Sequence, residues 1–331
     1  MQCPNCQSSI LLEDRFCETC GVPLSAELSA EISAASPSPP TNCAKCGSSD
    51  IDTEGYCVQC GFHNAPIVTN SPADRLELAI SPRLAGISDP GLKHHHNEDY
   101  VALHSLDDNR HILVVCDGVS SSQTPELAAK AAAIAACQHL VTALQAGIAS
   151  DLALNGAITA ALKDVCAIPY HQREEPDPPS TTIVAAIVEA TAIATQISIG
   201  WLGDSRAYWM TRETIQQLTE DDSWLNDMVT AGKLSEAEAR QSPQAHAINR
   251  WLGADVTDDA VPSIVRFTSS SPGYLILCSD GLWNYTAHPQ KLAELVQRYT
   301  APEAVVLSRR LVEYARSQGG QDNITVAILS V

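Results

Sequence analysis

The stretch HILVVCDGVSSS, residues 111–122, decides the fold. Its first five residues form an apolar run with the length and β-branched content of a buried strand. The strand runs into Asp117, then Gly118, then small hydroxyl residues. A carboxylate at the mouth of a buried strand adds nothing to a core and is costly to desolvate. A single aspartate after a strand is ordinarily a turn residue. Here the design repeats. AIATQISIGWLGDSRAY (192–208) carries Asp204 after an alternating strand, and YLILCSDGLW (274–283) ends in Asp280–Gly281. GGQDNITVAIL (319–329) places Asp322–Asn323 before a last strand, and HNEDYVAL (96–103) places Glu98 and Asp99 just before the strand YVAL.

Carboxylates on strand ends converge when the strands share one sheet edge. Converged carboxylates repel unless cations lie among them. An all-oxygen donor set favours hard ions, Mg²⁺ or Mn²⁺, over zinc. A glycine after Asp117 or Asp280 lets the backbone approach a metal or turn sharply. Two such ions with a shared acidified water suit phosphoryl displacement. A central sheet is the rigid mount that a bridging Asp117 requires.

The chain of 331 residues is long enough for one catalytic-size domain and a small appendage. Its net charge of −19 argues against binding nucleic acid or membrane by bulk charge. The acidic excess serves solubility, or sharpens into a cation-binding pocket. No stretch reads as a signal peptide, so a cytoplasmic protein is expected. The longest apolar segment, residues 126–147, is interrupted by Lys130, Gln138 and His139, and reads as an Ala-rich buried helix.

Eight of the 12 cysteines precede residue 61, as the pairs Cys3/Cys6, Cys17/Cys20, Cys43/Cys46 and Cys57/Cys60. CPNCQSSILLEDRFCETCG (3–21) and CAKCGSSDIDTEGYCVQCG (43–61) are copies at a 40-residue repeat, with ten residues between the pairs of each. Two C-x-x-C turns supply four sulfur ligands for a structural zinc. A disulfide framework is the alternative and needs an oxidising compartment. Two zinc ribbons are expected, at 1–24 and 42–63, with a Ser/Ala/Pro linker at 25–41 and a second linker at 64–82. The ribbons carry too few basic residues for a nucleic-acid footprint, so docking of a protein partner or regulation is their expected role. Cys116, Cys137, Cys166 and Cys278 lie in apolar segments and read as core thiols.

From residue 83 to 331 the order of motifs resembles the type 2C (PPM) metal-dependent serine/threonine protein phosphatases, of the bacterial type. The resemblance rests on SDPGLKHHHNEDY (88–100), VVCDGVSS (114–121), STTIVAA (180–186), GWLGDSRAYW (200–209), LTEDDSW (218–224), EARQSP…INRWLG (238–253), LILCSDGLW (275–283) and GGQDNITVAIL (319–329). It implies an α+β fold, a four-layer αββα sandwich of two antiparallel sheets flanked by helices. It also implies that Asp117 bridges two Mn or Mg ions, with Asp280 and Asp322 completing the first. Glu98 and the Gly118 carbonyl hold the second with Asp99 alongside, and a third, weaker ion lies near Asp204. By the same resemblance, a hydroxide bridging the ions would attack phosphorus directly, and the substrate would be a phosphorylated protein. Residues 219–255 match the flap beside the active site. Within it, WLNDMVTAGKLSEAEARQ (224–241) reads as helix–turn–helix, broken at Gly232 and with a Ser235/Glu238 capping box.

Some positions depart from that pattern. His94 stands where the family often has a phosphate-gripping arginine, and lacks its planar fork and permanent charge. The His94–His96 run also reads as a solvated loop. Val119 stands where many members carry a histidine proposed as general acid, and it has no proton to donate. Ser180 replaces a glycine before the threonine pair, and DDS (221–223) replaces DHS. None of these removes a metal ligand, so an active enzyme is expected. A catalytically impaired pseudophosphatase, acting as a phosphoprotein-binding scaffold, is the alternative.

Overall fold

The computed structural model describes residues 74–171, 177–255, 261–286, 288–299 and 303–331. The chain divides into two compact units, Met1–Thr69 and Asn70–Val331, and the described residues belong to the second. Both expected ribbons with their cysteines, the whole first linker and residues 64–73 of the second lie outside the described residues.

Among the described residues, thirteen strands build the second unit. One sheet has six strands in the order β1 (Leu76–Ser81), β2 (Leu84–Asp89), β13 (Ile324–Ser330), β12 (Tyr274–Cys278), β8 (Arg206–Met210) and β9 (Ile215–Gln217). The other has five, in the order β11 (Ser263–Ser269), β7 (Thr195–Leu202), β6 (Ile183–Ala190), β4 (Arg110–Asp117) and β3 (Asp99–Ser105). A short pair, β5 (Ser180–Thr181) with β10 (Leu252–Gly253), lies apart from both. All neighbours pair antiparallel.

The helices are α1 (Pro125–Gln145), α2 (Ser150–Cys166), α3 (Trp224–Thr230), α4 (Glu236–Ala239), α5 (Asp280–Trp283), α6 (Pro289–Tyr299) and α7 (Ala304–Ser317). Side chains of a strand alternate between faces, and β4 shows what this does. Ile112, Val114 and Cys116 pack with α1 and α2, whereas Leu113 and Val115 join the layer between the two sheets. A third core lies between the six-stranded sheet and α6 and α7, through Leu292, Leu295, Leu307 and Leu311 among others. Three apolar layers therefore separate four layers of secondary structure, the expected αββα sandwich. Burial on both faces explains why HILVV is apolar throughout rather than alternating.

Three details differ from the sequence reading. The expected second linker, 64–82, is too long, because residues 76–81 form β1 and pair with β2. Asp99 is the first residue of its strand rather than a residue before it. Cys166, at the end of α2, is exposed, while Cys116 and Cys278 are buried. Helix α1 is long and apolar enough, by length and composition, to cross a membrane. In the fold its alanine face, from Ala128 to Ala143, lies buried against the sheet and α2, which accounts for that composition.

Candidate active site

Antiparallel pairing brings the motif-bearing strand ends to one end of the sandwich. In the five-stranded sheet, Asp99 at the start of β3 lies directly opposite Asp117 at the end of β4. Ile183, which opens β6, is paired with Leu202, which closes β7 two residues before Asp204. In the six-stranded sheet, Ile324 pairs with Asp89, and Cys278 pairs with both Val326 and Arg206. Asp322 and Asp280 therefore emerge at the corresponding edge. Five stretches far apart in sequence deliver carboxylates to one place, as the repeated strand-end design requires.

The electrostatics report the same proximity. Burial, then Asp99, Asp280, Asp204 and Asp322, pushes the Asp117 carboxyl well above the ordinary carboxylate range. Burial, then Asp204, Asp322 and Asp99, does the same to Asp280. Burial raises Asp99 to about 7, against the pull of the Ser279 and Thr325 hydroxyls, with Asp322 adding to the rise. Burial and Asp221 raise Asp204 to about 7, and Arg206 opposes them. Like charges held opposite one another on paired strands destabilise a sheet. Nothing in a stability argument explains keeping this set.

The frame behind the carboxylates is specific. Ser279 Oγ donates to Asp99 Oδ2 at 2.7 Å and accepts from the Thr325 amide at 3.0 Å. The carbonyl of Asp117 accepts from the Thr182 amide and the Thr181 hydroxyl, each at 2.8 Å. The Gly118 amide donates to the Glu98 carbonyl at 3.1 Å. A Cβ on Gly118 would lie 2.6 Å from that oxygen and 2.8 Å from Pro125, so only glycine fits. Ser120 Oγ donates to Glu98 Oε2 at 2.5 Å. Buried Asn323 holds the loop before β3: its Oδ1 accepts from the Glu98 amide at 2.9 Å, and its Nδ2 donates to the carbonyls of Pro90 and His96 at 3.0 Å each. Asp89, 1% exposed, sits between Arg75 at 2.6 Å and Arg316 at 2.5 Å and pins the same loop at its other end.

His94 Nε2 lies 3.4 Å from Asp322 Oδ1, so the histidine that replaces the expected arginine does face the carboxylates. Half-buried Val119 follows Gly118 with its amide on the Ser180 carbonyl at 2.9 Å. On the flap side, Arg206 forks onto Asp221 at 2.8 and 2.6 Å and stacks over Trp283 at 3.7 Å. The Trp283 indole N–H in turn donates to the Asp204 carbonyl at 2.9 Å. The expected helix–turn–helix is α3 and α4, with Gly232 at φ 64° and the Ser235/Glu238 capping box formed.

Among the described residues, no three His, Cys, Asp or Glu side chains close around one ion-sized point. The carboxylates are close enough to raise one another and are spread across the mouth of the sandwich. Their chemistry fits hard divalent cations: every donor is oxygen, and crowded, mutually repelling aspartates are stable as anions beside positive charge.

The family description "Protein phosphatase 2C" matches residues 93–314. The chain belongs to the protein phosphatase 2C family. A second description, "Double zinc ribbon", matches residues 3–61, the segment of the paired cysteines. The serine/threonine phosphatase Stp of Listeria monocytogenes is 29% identical over 245 residues, 73% of this chain and 93% of that protein. The crystal structure of the Mycobacterium tuberculosis phosphatase PstP/Ppp has a TM-score of 0.62 at 27% identity, covering 75% of this chain and 98% of that one. The PstP catalytic domain in complex with two manganese ions has a TM-score of 0.59 at 27% identity, with the same coverage. This 2C phosphatase departs from the family pattern at His94 and Val119 without losing the strand-end carboxylates.

Sequence reasoning missed the frame. Asn323, Ser279, Thr181, Thr182 and Asp89 act through hydrogen bonds to residues far away in sequence, and no local pattern announces such partners. Arg206–Asp221–Trp283 was equally silent, although the GDSR and DDS motifs bracket it.

Proposed function

We propose that this chain hydrolyses phosphoserine and phosphothreonine monoesters on proteins, using two divalent Mn or Mg ions and, near Asp204, a weaker third. The observation that carries the reading is the meeting of Asp99, Asp117, Asp204, Asp280 and Asp322 at one sandwich end, each of the other four sensing Asp322. Asp117, Asp280 and Asp322 would hold one ion, and Glu98, Asp117 and the Gly118 carbonyl the second, with Asp99 beside them. When bound, such ions acidify water and neutralise phosphoryl oxygens. Direct displacement by water forms one phosphorus–oxygen bond as the ester bond breaks, and the departing alkoxide takes up a proton to leave as the serine or threonine hydroxyl. Val119 has none to give. His94, facing Asp322, would serve as proton source or phosphate contact. Ser279, Thr181 and Thr182 fix the carboxylate mounts, the support that a precise centre needs.

In the appendage, Cys3, Cys6, Cys17 and Cys20 would hold one structural zinc, and Cys43, Cys46, Cys57 and Cys60 another. The ribbons would dock a protein partner or regulate the phosphatase. The cytoplasm, where thiols stay reduced, suits them. No observation favours the non-catalytic alternative.

The test is hydrolysis of p-nitrophenyl phosphate and a phosphothreonine peptide with added manganese. Asp117→Ala and Asp280→Ala should each lower kcat by more than about 100-fold, beyond what losing a merely supporting residue does, with far-ultraviolet circular dichroism unchanged. Undiminished turnover in both variants rejects the assignment.

A further inference from the structure

We propose that the cavity between the 118–122 loop and the 246–255 segment seats a basic side chain, lysine or arginine, close in sequence to the phosphorylated residue of the substrate. The proposal rests on the phosphatase reading above and names its preferred substrate class. The cavity holds about 280 Å³ and is lined by Val119, Ser122, Asp177, His246, Trp251 and Asp255, among others. That is just below the range of about 300–1,000 Å³ for whole small-molecule sites, and suits one long side chain.

Its place ties it to the reaction. Val119 is the residue after Gly118. A second cavity of about 80 Å³, bounded by Asp204 and Asn284, shares the His246 wall. The smaller hollow meets the carboxylate centre at Asp204 and the larger reaches it through Val119, next to Gly118, so a residue entering the larger one would be a near neighbour of the phosphorylated residue. The walls are anchored. Leu252–Gly253 pairs with Ser180–Thr181, the segment that holds the Asp117 carbonyl. The Trp224 amide donates to the Ala247 carbonyl at 2.9 Å, and the Asn249 amide to the Asp222 carbonyl at 3.0 Å. Ser122 bridges to Asp177 across the opposite rim.

The lining chemistry selects cations. Asp177 and Asp255 supply carboxylates, and among the described lining residues there is no lysine or arginine. The Trp251 indole N–H donates to Asp255 Oδ1 at 3.1 Å, which sets an aromatic ring beside a carboxylate. An aromatic face with flanking carboxylates favours ammonium and, better, guanidinium. Both aspartates are exposed, so the cavity tunes choice among substrates more than it adds affinity. The whole chain points the same way. A phosphate dianion approaching a protein of net charge −19 is repelled, and a basic neighbour on the same peptide offsets that repulsion.

The experiment compares phosphothreonine peptides that differ at one position, carrying Arg, Lys, Ala or Glu in turn at each site flanking the phosphothreonine, with the full-length enzyme and manganese. At one flanking position, Arg should raise kcat/KM over Ala by about 5- to 10-fold, and Glu should lower it. Rising salt should shrink the preference. The double variant Asp177→Asn, Asp255→Asn should erase it while p-nitrophenyl phosphate turnover stays within about twofold of wild type. Trp251→Leu should weaken Arg more than Lys. Equal rates for Arg and Ala at every position overturn the proposal, as does a preference that survives the double variant. Failure of the wild-type enzyme to hydrolyse even p-nitrophenyl phosphate sinks the phosphatase reading itself, and the subsite with it. Normal turnover of that small ester with no Arg preference sinks the subsite alone.

Discussion

Replacing Asn323 with alanine asks how much of the centre hangs on one side chain. Asn323 is 2% exposed, and its side chain makes three hydrogen bonds, to the Glu98 amide and to the Pro90 and His96 carbonyls. Each such bond is worth about 1 kcal/mol net, and more where the abandoned partner stays buried. The expected loss is about 3 kcal/mol. In a domain of this size each kilocalorie shifts Tm by about 2–4 °C, so a fall of about 6–12 °C follows. A second readout separates this from plain instability. Glu98 is tied through its amide, so the variant frees the carboxylate proposed to hold an ion. Loss of a residue that supports a metal ligand usually costs about 10- to 100-fold in metal affinity or activity. A thermal melt followed by circular dichroism, with a manganese titration of p-nitrophenyl phosphate turnover below the melting range, measures both. A melt within about 2 °C of wild type together with an unchanged manganese midpoint would refute the claim that Asn323 holds the loop.

Asp221→Ala should destabilise by about 3–5 kcal/mol, because it strands the nearly buried Arg206 without its carboxylate; urea unfolding reads the loss, and a midpoint equal to wild type contradicts it. The raised pKa values give a pH sign. For Asp99 and Asp204 the folded value is about 7 against an ordinary value near 4. Their folded state therefore binds more protons than the unfolded chain, and cation-free protein loses stability as pH climbs from about 4 to about 7. Manganese competes for the same oxygens, so its stabilising Tm shift should grow between pH 5.5 and 7.5, and a flat profile counts against carboxylate ligation. Deleting residues 1–69 should leave small-ester hydrolysis largely intact and alter rates on phosphoproteins; elemental analysis of the full chain should find about two zinc, by the four-sulfur rule, and none after deletion.

The central strands were legible because they are buried on both faces, and the edge where function sits because acidic residues recur where these strands begin or end; the four-layer order came from the resemblance of the motif series to the 2C phosphatases. HILVVCDG alone predicts a central strand with a carboxylate at its tip, and β4 is that strand. The edge strand β1 escaped notice because LELAIS, half exposed, carries weak alternation and follows a polar stretch. The carboxylates were legible one by one. Their braces were not, since Ser279 reaches Asp99 across 180 residues and Asn323 reaches Glu98 across 225. The cavity beside Trp251 was invisible for the same reason: Asp177 and Asp255 come together only once Leu252–Gly253 pairs with Ser180–Thr181.

The carboxylates are split between the two sheets. Asp99 and Asp117 belong to the five-stranded one, Asp280 and Asp322 flank strands of the six-stranded one, and Asp204 lies in the connection from β7 to β8 between them. On the proposed ligation, an ion held by both Asp117 and Asp280 would rivet the two leaves of the sandwich together, and its binding free energy would resist their sliding apart. A cell short of manganese or magnesium would hold not simply an idle copy of this protein but a looser one, opened more often and cleared sooner by proteases.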